Sequence, residues 1–250
     1  MKQLFNCAMS IGEEMLISGA EVHRVEESIR LMCERFGAKR VDVFIITSSM
    51  VATLYTKEGD SFTETRRIST ISNNFEKLHR LNQLSRNICS SNLTAEEIKI
   101  MLEKAINCKT YSFIVECIFY AIIASAFTLF FGGNIIESVI SFITGAIVRL
   151  GILFFEKTVG NNIFTKFLAM VIAASLSFTA LKIGLVSSVD KLIIGNIMTL
   201  IPGVGLTNAL RDLFTGDSIA GILRTISAVL TALAIAAGYF LVTILGGFLI

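Results

Sequence analysis

The stretch NIMTLIPGVGLTNALRDLF, residues 196–214, holds the only proline of the 250-residue chain and gathers side chains that can bind and move charge. Thr207 and Arg211 share one helical face at i, i+4, and Asn208 and Asp212 share a neighbouring one. Asn196 and Thr199 lie just upstream. A guanidinium beside a helix N-terminus can hold a carboxylate, because free backbone N–H groups and the positive dipole end both favour an anion. A carboxylate such as Asp212 can carry a proton, and Glu137 is a second candidate for that role. Pro202 removes a backbone N–H and its ring clashes with the carbonyl of Met198. Gly203 and Gly205 loosen the backbone further. The spacing predicts a helix broken at Pro202, with its second half beginning near Gly205 or Leu206. A proline-kinked packing helix, with Arg211 and Asp212 anchored at a membrane interface, fits the same residues.

Other chemistries find less support. The two histidines, His23 and His79, lie in the polar part of the chain, and H-R-V-E-E is not the zinc-binding H-E-x-x-H. A Ser-His nucleophile would need a histidine in the apolar part, which has none. Asp190 and Asp212 resemble a protease dyad only in being two carboxylates; the nearest string to G-x-G-D is Gly203-Val204-Gly205-Leu206. The five cysteines form no C-x-x-C, so reduced thiols are expected. The sequence therefore predicts a non-enzyme with no metal and no cofactor. A net charge of +2 is too small to suggest nucleic acid.

The elements that must position these residues divide near Tyr111. Residues 1–109 hold 15 of the 22 Lys and Arg and 14 of the 20 Asp and Glu, leaving only 7 and 6 for residues 110–250. In the polar part, Leu4, Ala8, Ile11 and Met15, then Val22, Val25, Ile29 and Met32, recur at helical spacing and predict two helices with a break near Ser18-Gly19. Alternating β-branched residues with a turn at Glu58-Gly59-Asp60 predict three short strands near 41–47, 50–56 and 61–67. A helix after Asn73-Asn74 and another opened by Thr94 and Glu97 complete a small α+β domain. The charges of EVHRVEESIR read either as a solvated helix face or as a gate or contact surface. The N-terminus lacks the apolar core of a secretory signal, so this domain is expected in the cytoplasm.

The apolar part predicts five transmembrane helices, from uncharged windows at 117–136, 138–155 (broken only by Arg149), between Lys166 and Lys182, 192–210 and 225–250. Pro202 falls near the middle of the fourth. With residues 1–109 inside, the positive-inside bias is present but mild. Small residues in AAGYFLVTILGG and TALAIAAG favour close helix packing. The expected fold class is thus an α-helical membrane protein, with a 1–109 cytoplasmic α+β domain preceding a 110–250 transmembrane domain of five helices.

SGAEVHRVEESI near the start and PGVGLTNALRDLFTGDSIAGILR late in the chain, separated by these spans, resemble the bacterial threonine/serine exporter family over almost the whole length. The resemblance implies a secondary exporter of the inner membrane that moves threonine and serine. Stopping after a fifth expected span, the chain is similar to the split, YjjP-type form, which pairs with a smaller YjjB-type membrane subunit and is also associated with succinate export. Carried onto this chain, Pro202, Gly203, Thr207, Asn208, Arg211 and Asp212 match the membrane motif and are expected to line the cargo pathway. Gly19, Glu21, Arg24 and Glu26 match the soluble motif and are expected at a gate or vestibule. An oligomer in the lipid bilayer is expected, without nucleic acid. The competing expectation is a non-transporting membrane sensor or scaffold acting through its soluble domain.

Overall fold

The computed structural model describes residues 1–108 and 111–247. In chain order its elements are α1 (Lys2–Ile17), α2 (Val22–Arg35), β1 (Arg40–Ile46), β2 (Ser49–Tyr55), β3 (Ser61–Arg67), α3 (Phe75–Ser90), α4 (Ala95–Ile106), α5 (Phe113–Phe130), α6 (Ile135–Val159), α7 (Asn162–Lys182), α8 (Asp190–Leu200), α9 (Gly203–Thr215) and α10 (Ser218–Gly247). They form two compact units: Met1–Lys109 with Val204–Ile226, and Thr110–Gly203 with Ser227–Ile250. The expected domain boundary at 109/110 falls on two residues outside the described ones. The segment 204–226, expected with the membrane part, is gathered into the unit that carries the sheet.

In this first unit the three strands form an antiparallel sheet in the order β1-β2-β3. Period-2 alternation buries Met50, Ala52 and Leu54 of β2 against helices, while the other face carries the exposed Phe44 and a Thr53–Thr63 hydroxyl pair. Phe5, Met9, Met15 and Leu16 of α1 meet Ile29 and Met32 of α2 in the same core. Local signals define the helix ends. Asn74 accepts a hydrogen bond from the Lys77 N–H to open α3, and Thr94 and Glu97 form a reciprocal capping box at α4.

α1 ends in a Schellman motif, with the Gly19 N–H bonded to Leu16 O at 3.1 Å and the Ala20 N–H to Met15 O at 3.0 Å. Gly19 sits at φ +92°, and a Cβ there would come within 2.6 Å of Asn73 Oδ1 and 3.0 Å of Ser72 O. Both the backbone conformation and the packed 72–74 segment therefore demand glycine. The Ser72 and Asn74 N–H groups bond back to Ile17 O and Ser18 O, which fixes the α1–α2 corner.

Among the described residues, four helices are long and apolar enough to cross a membrane (α5, α6, α7 and α10), or five if the bent pair α8 and α9 is one span. The first uncharged window overshoots its helix: α5 stops at Phe130, not near residue 136. Gly132 turns with φ +85°, and Asn134 caps α6 in a box with Glu137. Charge-free length reports lipid compatibility, whereas the helix end is set by these local groups. Close approach is built on missing side chains. A Cβ on Gly145 of α6 would lie 2.7 Å from Tyr120 O, and one on Gly195 of α8 would lie 2.6 Å from Ala124 O, both carbonyls on α5. The Thr128 hydroxyl, 2.6 Å from Ser141 Oγ, ties α5 to α6 in the same seam.

Candidate functional site

The break in the fourth expected span is present, and it begins earlier than its sequence suggests. α8 ends at Leu200, and Ile201 is extended at φ −63°, ψ 132°, the conformation that a following proline imposes. α9 then starts at Gly203 rather than near Gly205, because the fixed φ of Pro202 already suits a helical first turn. The two helices are bent by 56° at the break. Upstream, Asn196 is fully buried, its amide N–H bonded to Leu192 O, and Thr199 donates to Asn196 O.

Polar side chains of α9 and α10 close on the α1–α2 corner, about 190 residues away in sequence. The Asn208 amide donates to Gly19 O at 3.0 Å. The Arg224 guanidinium donates to Ala20 O at 2.9 Å. The Val22 N–H, at the N-terminus of α2, donates to Asp212 Oδ1 at 3.1 Å. Glu21 is the N-cap of α2 but makes no side-chain cap, so the carboxylate of Asp212 supplies from another helix what a local cap would normally provide. Arg224 also lies 3.2 Å from Asp212 Oδ2, with the Asp212 side chain fully buried and that of Arg224 90% so. Arg211 forms an ion pair with Glu21, its own side chain 58% exposed.

The structure thus brings together Gly19, Glu21, Asn208, Arg211 and Asp212, residues that the sequence assigned to two separate roles. Thr207 lies on α9 beside them, and Pro202 and Gly203 stand at the break. Glu26 lies one turn along α2 from Val22 and accepts from the Ile45 N–H at 3.0 Å, joining α2 to β1. Burial and the nearby carboxylate of Asp217 push Glu26 up to about 7. Arg24 points elsewhere, into a groove between α2 and α3. Glu137 is buried in the second unit, where it accepts from the Asn134 N–H at 2.8 Å. Both expected proton carriers, Asp212 and Glu137, are therefore engaged in holding backbone N–H groups at helix starts.

Arg224 ends the quoted PGVG…GILR stretch, yet it is the residue of this cluster to which the sequence assigned no site role. Its signal was available: a lone cation at the start of a long apolar helix must find a partner, and Asp212 is the acid nearest before it but one. Arg149, deep in α6, is answered in the same way within the second unit. It bonds Glu116 on α5 through Nε at 3.0 Å and lies over the rings of Phe113 and Tyr120. Among the described residues no cluster of metal-ligating side chains is found, and the five cysteines are free.

The family model described as "Putative threonine/serine exporter" matches residues 6–246. The chain belongs to the threonine/serine exporter family. A protein of Corynebacterium glutamicum named "Threonine/serine exporter" is 25% identical over 243 residues, which is 94% of this chain and 50% of that protein. The chain thus spans about half the length of the curated relative it matches. No solved structure matches it. This is a family of membrane exporters and not of enzymes, and the four or five apolar helices accord with it. Both family motifs contribute to the contacts around Asp212.

Proposed function

We propose that this chain is a subunit of a secondary exporter that moves small carboxylate-bearing metabolites, threonine or serine foremost and a dicarboxylate such as succinate as a further cargo, out of the cytoplasm. It works in the bacterial inner membrane, with its sheet-bearing unit cytoplasmic. A second, smaller membrane subunit of the YjjB type completes the pathway. The observation that carries the proposal is the bent helix pair broken at Pro202, in which α9 presents Asn208, Arg211 and Asp212 to the corner at Gly19–Val22. A helix interrupted within an apolar stretch is costly unless protein or a water-filled path meets its freed groups.

Within this proposal the residues divide their work. Asp212 and Arg224 hold α9 to the N-terminus of α2. Arg211, more than half exposed, engages Glu21 and keeps donors of its planar fork for a cargo carboxylate. An exposed ion pair contributes at most about 1 kcal/mol, so a carboxylate ligand can displace Glu21 at little cost. Efflux of threonine, serine and succinate from preloaded cells carrying both subunits tests the proposal. Arg211→Ala should slow efflux at least about tenfold while leaving expression normal, as expected for the loss of one charge-assisted contact. Unchanged efflux in a normally expressed Arg211→Ala protein would contradict the carboxylate role.

A further inference from the structure

α2 and α3 lie side by side in the first unit, and the faces they turn towards each other have the same spacing. Arg24, Glu27, Ser28 and Leu31 on α2 and Asn82, Ser85, Arg86 and Cys89 on α3 recur at i, i+3, i+4, i+7. Such spacing normally seals two helices with apolar side chains. Here it lines an open groove of about 390 Å³, a volume within the range of small-molecule sites, in which two arginines, a glutamate and hydroxyl groups stand among apolar surface that includes Leu31 and Cys89. Three charged side chains (Arg24, Glu27 and Arg86) at such positions depart from the local rule, and such departures gather at functional positions.

The bonding state of the groove narrows its ligand. Among the described residues, Arg24, Arg86 and Glu27 have no ion-pair partner, although seven other basic residues of the chain do. The hydroxyl protons are already committed: Ser28 donates to Arg24 O at 2.8 Å and Ser85 to Asn82 O at 2.9 Å. Those oxygens are left as acceptors only. The groove therefore offers two guanidiniums for a carboxylate, and one carboxylate with neutral acceptors for an ammonium. A dicarboxylate would set one of its charges against Glu27.

We propose that the groove between α2 and α3 binds a zwitterionic small amino acid, its carboxylate held by Arg24 and Arg86 and its ammonium by Glu27 and the serine oxygens. This deepens the exporter proposal and rests on it for the cargo's identity: the groove is a cargo-recruiting or cargo-sensing site separate from Arg211.

Equilibrium dialysis of labelled L-threonine against the full chain in lipid nanodiscs tests it, with efflux measured in parallel. Wild type should bind threonine saturably, and N-acetylthreonine and succinate should compete poorly. Arg86→Ala removes an exposed side chain and should fold normally by circular dichroism, yet weaken binding about tenfold. Glu27→Gln should weaken threonine while improving competition by succinate. Absence of saturable binding, affinity unchanged in a folded Arg86→Ala protein, or succinate competing better than threonine against wild type would overturn the proposal. Arg86-dependent binding without any efflux would leave the groove standing and remove the exporter proposal. Efflux with binding indifferent to Arg86 would do the reverse.

Discussion

At the scale of single residues, Asp212 holds most of the weight. It accepts from the Val22 N–H and faces Arg224, and neither side chain has more than a trace of solvent exposure. Removing one member of such a pair leaves the other charge buried and uncompensated, at a cost of about 3–5 kcal/mol. Asp212→Ala should therefore lower the thermal midpoint of the purified protein far more than Arg211→Ala, whose partner Glu21 is reached through an exposed contact. Equal midpoints for the two variants would contradict the structural role given to Asp212. Glu26 sets a pH dependence of opposite sense to that of an ordinary paired carboxylate. Burial first, and then Asp217, raise it from its ordinary value to about 7, against the lowering effects of the Ile45 N–H and His23. Below about pH 4.5 the carboxyl is protonated both folded and unfolded, so its contribution to stability is complete there. As pH rises towards 7 the unfolded chain ionises freely while the folded one resists, and that stability is lost. Wild type should thus melt lower at pH 8 than at pH 5, and Glu26→Gln, which retains an acceptor for Ile45, should flatten the difference. A slope unchanged in Glu26→Gln would show that the dependence arises elsewhere.

At the scale of elements, the decisive piece is the corner between α1 and α2. Its Schellman closure leaves the carbonyls of Gly19 and Ala20 and the N–H of Val22 facing away from α1, where Asn208, Arg224 and Asp212 collect them. Gly19→Ala would force a side chain into the left-handed region and against Ser72 and Asn73. A strain of about 1–2 kcal/mol from the backbone alone is expected, with the packing clash added. Hydrogen exchange at the Val22 amide should accelerate in this variant, and an unchanged rate would contradict the link between the corner and α9. Most elements of the first unit were legible in the sequence, because their signals are local. Thr94 and Glu97 announce α4 within four residues, and the three strands lie within one residue of where alternation and turn residues place them. The start of α9 and the end of α5 were less legible. Apolar windows carry no mark of where a helix stops, whereas Pro202 and the Gly132–Asn134 turn act on single residues inside them.

At the scale of the whole chain, both family motifs were visible in the sequence, but not their meeting. Periodicity reports neighbours within a helical turn, and nothing in it pairs residue 22 with residue 212. Hydropathy left residues 211–224 outside the expected spans but assigned 204–210 to the fourth, because the start of α9 is apolar enough to pass for membrane helix while its residues belong to the sheet-bearing unit. A buried charge such as Arg224 is the one sequence feature that points to such an arrangement, since it has to be answered somewhere. The membrane part was legible from uncharged windows, which predict five spans; among the described residues four helices, or five with the bent pair taken as one, are long and apolar enough to cross. The central proposal is that this chain, with a smaller membrane subunit, carries threonine out of the cytoplasm. The most direct test is the rate at which labelled L-threonine leaves preloaded cells that carry both subunits, the partner alone, or neither. The account predicts rapid efflux only when both are present. Equal rates in all three would contradict it.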